Sequence, residues 1–160
     1  MRSTFLMIFS LLFCFNLSAQ HAETVYVELG GPGLISANFD MRFSKQNTGL
    51  GGRIGIGGFS LNNDYDGRVS LLTIPVGLNY LLGKDGKNFF ELGAGFTYLN
   101  VGSRYDSENS TLQASFGNLT FGYRLAPANG GFVFKAQITP VFNKYGFMPY
   151  YGGIGFGYKF

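Results

Sequence analysis

The stretch that decides the fold is GGIGFGYKF, residues 152–160. Ile154, Phe156, Tyr158 and Phe160 alternate with Gly153, Gly155, Gly157 and Lys159. Side chains of a β-strand point to opposite faces in turn. One face of this segment is therefore bulky and apolar, and the other is glycine with a single lysine.

The same period of two recurs upstream. In 34–43, Ile35, Ala37, Phe39, Met41 and Phe43 oppose Ser36, Asn38, Asp40 and Arg42. In 50–59, Leu50, Ile54 and Ile56 oppose Gly51, Arg53, Gly55 and Gly57. In 70–82, Leu72, Ile74, Val76, Leu78 and Tyr80 oppose Thr73, Pro75, Gly77 and Asn79. In 88–100, Phe90, Leu92, Ala94, Phe96 and Tyr98 oppose Glu91, Gly93, Gly95 and Thr97. Leu119, Phe121 and Tyr123 then oppose Asn118, Thr120, Gly122 and Arg124, and Phe132, Phe134, Ala136 and Ile138 oppose Lys135, Gln137 and Thr139.

Short turns (Ser44–Gly49, Gly83–Asn88 with its Asp85-Gly86 hairpin signal, and Ala126–Gly131) alternate with longer polar stretches at Ser60–Arg68, Val101–Ser110 and Asn143–Pro149. That alternation suits a membrane barrel with short periplasmic turns and longer outer loops. Residues 24–30 are short for a spanning strand. Gly30-Gly31-Pro32-Gly33 either turns the chain, giving eight strands, or kinks one long strand, giving seven. Even strand numbers favour eight.

After residue 20 no apolar run approaches 18 residues, so spanning helices are excluded. Bulky residues on one face suit lipid, and glycines on the other suit a lumen just wide enough for side chains. Phe43, Tyr80, Phe90, Tyr123, Phe132 and Phe160 fall beside the short turns or the C-terminus, where an interfacial aromatic girdle belongs. Closure also removes the bare sheet edges that lipid does not tolerate. The expected fold is all-β: an eight-stranded, antiparallel, up-and-down transmembrane β-barrel.

Residues 1–19 read as a cleaved signal peptide, with Arg2, an apolar run from Phe5 to Phe15, and a small residue, Ala19, at the cleavage position. The barrel domain is then 20–160. Cys14 leaves with the signal, so no disulfide or thiolate metal site remains. The chain holds 12 Lys and Arg against 9 Asp and Glu, and its cations stand singly, which argues against a nucleic-acid surface.

On these segments the chain resembles the small OmpA/OmpX-like outer-membrane barrels of Gram-negative bacteria, and within them the functionally unassigned Bacteroidota type. The likeness spans 23–160 and includes YVELGGPG (26–33) and IPVGLNY (74–80). The C-terminus resembles the signal read by the outer-membrane insertion machinery. Gly155, Tyr158 and Phe160 fit it, while Gly153 stands where a polar residue is usual. The resemblance implies the outer membrane as location, with lipid, lipopolysaccharide and that machinery as partners. It implies no activity.

The charges expected to point inward are Glu28, Asp40, Arg42, Arg53, Glu91, Arg124 and Lys135. Unpaired charge is costly in a narrow lumen, so they are expected to pair into a network that fills the barrel. Asn62, Asp64, Asp66 and Gly67 have the spacing that opens a calcium loop, but Thr73 occupies the place of the closing acid, so no metal is assigned. The single histidine, His21, sits at the mature N-terminus, away from the outer rim where barrel enzymes need a base. The expected role is structural or surface-interactive, for a monomer without cofactor or catalysis. The alternatives are a low-conductance channel and a divergent lipid-modifying enzyme.

Overall fold

β-branched and aromatic residues at every second position drive the described chain into strands. The computed structural model describes residues 22–63, 67–105 and 108–160. Its strands are β1 (Glu23–Gly30), β2 (Ile35–Arg42), β3 (Gly49–Asn63), β4 (Gly67–Leu82), β5 (Asn88–Tyr105), β6 (Glu108–Leu125), β7 (Gly131–Ile138), β8 (Val141–Asn143), β9 (Gly146–Met148) and β10 (Gly152–Lys159). Each of β1 to β6 pairs antiparallel with the next; β6 pairs with β7, β7 with β10, and β10 with β1, so the sheet closes.

Eight staves result, because the last two are each made of two strands. β8 continues β7 beside β6, with Asn118 paired to Val141 just as Phe121 is paired to Ile138. Pro140, which has no N–H to give the ladder, stands at the break. β9 likewise leads into β10. Gly152 pairs with Ile138 but Met148 pairs with Val141, so the β9–β10 side carries one extra residue, a bulge. Residues 30–34 form a turn, as the even strand count requires.

The strands are strongly staggered. From Gly30 at one end of the barrel, the paired residues run through Gly153, Gln137, Gly122, Glu91 and Leu81 to Gly49 at the other end. Such stagger is the geometric companion of strand tilt in a closed barrel.

Alternation places side chains as the sequence predicts. Val25, Val27 and Leu29 lie outside while Tyr26 and Glu28 are buried, and the same holds around the wall. The core is therefore the lumen. Its packing explains the glycines: bulky inward residues face glycine on the neighbouring strand. Arg42 pairs with Gly51, Asn38 with Gly55, Arg53 with Gly77, Glu91 with Gly122 and Tyr26 with Gly157. A Cβ at Gly51 would lie 2.2 Å from the Arg42 guanidinium carbon, and one at Gly157 only 2.4 Å from the Tyr26 Cβ.

Two of the longer outer loops expected from sequence are largely strand. Residues 60–63 and 67–68 continue β3 and β4, and 101–105 and 108–110 continue β5 and β6. Polar residues in 60–63, 67–68, 101–105 and 108–110 imitate loop composition, but the ladder runs through them. Within 143–149, too, the residues of β9 pair with β8. β3 to β6 thus hold 15 to 18 residues while β1 and β2 hold 8 each, so the wall is uneven and rises above the rim along β3 to β6.

Candidate functional site: a filled lumen with two caps

The seven charges placed inward by sequence are all buried, and the structure brings them together. Arg124 lies at the centre. Its Nε and Nη2 each donate to Glu91 at 2.9 Å, while Nη1 and Nη2 each donate to Asp40 at 3.0 Å. One guanidinium thus grips two carboxylates, which its planar fork of donors allows and a lysine could not match. Asp40 also accepts from Arg42 at 2.6 Å, and Glu91 accepts from Lys135 at 3.1 Å.

Arg124 and Lys135 face each other across the β6–β7 ladder. Two like charges so placed repel. Here both turn to Glu91, which relieves the repulsion. Arg53 and Glu28 form a second group, with Nη1 3.5 Å from the carboxylate.

Three uncharged residues join these groups and were not among the candidate site residues. Asn79 donates to Glu91 at 3.1 Å and also bonds both Asp40 and Arg42. Tyr26 receives donors from Lys135 at 3.3 Å and Arg53 at 3.4 Å, and the Lys135 ammonium lies 4.4 Å from its ring centre. Gln137 donates to Glu28. The signal for all three was their inward parity; selecting by charge alone passed over them.

Each end of the lumen is closed. At the outer end the turn after β1 is folded inward, with Gly31, Pro32 and Gly33 buried. Thr73 and Thr97 donate to the carbonyls of Gly33 and Pro32 at 2.7 and 3.0 Å. Gly30 and Gly31 have φ of 77° and 65°, and Leu34 is held at 65°. Glycine adopts such angles freely and leucine at a cost of about 1–2 kcal/mol, so the inward fold is imposed by its contacts. At the inner end Leu81, Phe89, Ala126 and Val133 form an apolar cluster. Lys159 lies over that end, donating to the carbonyls of Pro127 at 2.9 Å and Ala128 at 3.1 Å, and to Asn47. A cavity of about 10 Å³ remains between Arg42, Arg124 and Lys159, room for about one water molecule.

Gly155 faces inward beside Tyr26, whereas Tyr158 and Phe160 face outward with ring centres 5.3 Å apart. Asn62 stands opposite Arg68 in the β3–β4 register, and Asp64 and Asp66 lie outside the described residues. His21 and the signal segment do as well. Among the described residues no three His, Cys, Asp and Glu side chains gather to hold a metal. Asp40 and Glu91, the acids closest to such a role, are already held by arginine and lysine.

No protein-family model matches the chain, and neither does any curated protein sequence. Solved structures do. The N-terminal β-barrel domain of Pseudomonas aeruginosa OprF aligns over 88% of this chain and 96% of its own, with a TM-score of 0.58 and 13% identity. This is the fold of the small eight-stranded outer-membrane barrels. Neisserial surface protein A aligns over 87% of this chain and 92% of its own, at a TM-score of 0.52 and 10% identity. The Yersinia pestis outer membrane protein Ail, in a phospholipid bilayer nanodisc, aligns over 88% and 99%, at 0.50 and 11%. At such identities the chain shares its architecture with these proteins, and its lumen must be read from its own residues.

Proposed function

We propose that this chain is exported by a cleaved signal peptide (1–19) and resides in the outer membrane. There it serves as a closed structural and surface-contact element, not as a route for solutes. The observation that carries this reading is the filled lumen: seven buried charges joined in pairs between an inward-folded turn and an apolar, lysine-covered base. A network so placed fixes strand register and leaves no open path for solutes. The outward bulk of Val27, Ile54, Val76 and Phe96 supports lipid contact.

The insertion machinery would read Gly155, Tyr158 and Phe160 during assembly. Lipopolysaccharide phosphate would meet the exposed Arg68 above the rim. The working form is a monomer. Planar-bilayer recording of the purified protein tests the reading. Electrical silence is expected, and a steady unit conductance would overturn it in favour of a narrow channel.

A further inference from the structure

The wall raised by β3 to β6 reverses its polarity at the rim. Below it, apolar residues face outward and polar ones inward. Thr73 and Thr97 still point inward, since both hydroxyls bond the buried turn. Alternation then puts Leu71 and Leu99 on that same face, two residues further on. Phe59, Leu71, Val101 and Leu112 form one continuous cross-strand rung on the mouth side, above the Thr73–Leu99 pair. Leu61 and Val69 extend it upward. The rung on the opposite face, Ser60, Ser70, Gly102 and Thr111, is polar or glycine.

This face is uncovered. Leu61 and Leu112 are both 63% exposed, and Val69 44%. An apolar surface turned away from lipid and left open marks a binding site.

Its size selects the occupant. Four strands spaced about 4.8 Å apart, over a few rungs, offer roughly 300 Å². A stable protein interface needs about 800 Å² from each partner. No charged side chain stands on these rungs, so the matching chemistry is alkyl. The low side of the rim carries Leu29 and Ile35 outward, so apolar surface continues from the wall of the barrel to the mouth.

We infer that the mouth-side face of the β3–β6 extension binds the alkyl chain of a single-chain amphiphile taken from the external medium. The chain lies across the Phe59–Leu71–Val101–Leu112 rung with its polar end in water. The inference rests on the membrane placement proposed above, which sets this wall outside the bilayer.

The test is an amide-shift titration of the isotope-labelled protein in lipid nanodiscs with octanoate, decanoate and dodecanoate. Saturable shifts are expected in 57–61, 69–73, 99–103 and 110–116. Affinity, referred to free amphiphile, should rise about fourfold per added methylene, the equivalent of about 0.8 kcal/mol. Val101→Asp should abolish the response while keeping the fast gel mobility of an unheated barrel. Leu112→Asp, on a strand with an open outer edge, gives the same reading should the first variant not fold.

Shifts confined to lipid-facing positions such as Val25 and Ile54, or a variant that titrates like the parent, would overturn the inference. So would a concentration-dependent dimer broken by the variant. Loss of fast mobility in the parent protein would count against the membrane placement instead.

Discussion

Replacing Arg124 by Met tests the lumen network at its centre. The substitution keeps length and removes a guanidinium that holds two carboxylates through four contacts of 2.9–3.0 Å. Breaking a buried ion pair by deleting one partner costs about 3–5 kcal/mol, since the other charge is left without compensation. Here each acid keeps a cation, Asp40 through Arg42 at 2.6 Å and Glu91 through Lys135 at 3.1 Å. The lower part of that range, about 3 kcal/mol, is therefore expected. Arg124→Lys restores charge without the fork and should recover only part of the loss.

The assay is urea unfolding in phospholipid vesicles followed by far-ultraviolet circular dichroism, because the chain has no tryptophan. Combining Arg124→Met with Glu91→Gln should lose less than the two single changes added together, by about 1–3 kcal/mol. A single variant within 1 kcal/mol of the parent, with additive behaviour in the pair, would refute the idea that these contacts form a stabilising unit.

Gly157→Leu should block closure, because its Cβ would lie 2.2 Å from the Val25 carbonyl oxygen at the seam between β1 and β10; folded yield in vesicles, read by gel mobility, checks this. Deleting Phe160 removes the outward ring beside Tyr158 and the residue whose N–H bonds Glu23, and should slow outer-membrane assembly in cells, measured as the folded fraction over time. Asp85 caps the β4–β5 turn: its carboxylate accepts from the Asn88 side chain and from the backbone of Asn88 and Lys87. These bonds, that of the Asn88 amide foremost, push its pKa down to about 2 from 3.8. A depressed carboxylate stabilises the turn above its ordinary range and loses that contribution as pH falls through about 2. A carboxyl-detected titration should thus give a midpoint near 2, with the Lys87 and Asn88 amides moving in step; a midpoint at 3.8 would show the cap absent.

Alternation alone made the barrel legible, since each strand carries its address in parity: Asp40, Glu91 and Arg124 fall inward because their neighbours Phe39, Leu92 and Tyr123 must meet lipid. The turn at 30–34 was legible as a turn but not as a cap, because nothing local says which way a turn folds; the partners that draw it in, Thr73 and Thr97, are 40 and 65 residues away. The extension of β3 to β6 was hidden for another reason. Above the rim the period of two persists with polar and apolar faces exchanged, and Ser60, Asn62 and Arg68 then look like a loop. Phe89 shows the limit of composition: it is as apolar as its outward neighbour Phe90, but its parity with Glu91 sends it into the inner cap, where it is 2% exposed.

The central claim is a closed transmembrane barrel, and its most direct test is the mobility of the purified protein on a denaturing gel with and without heating. Faster migration of the unheated sample, with recovery in the membrane fraction, is the expected result. Identical mobility, with the protein recovered in the soluble fraction, would contradict it.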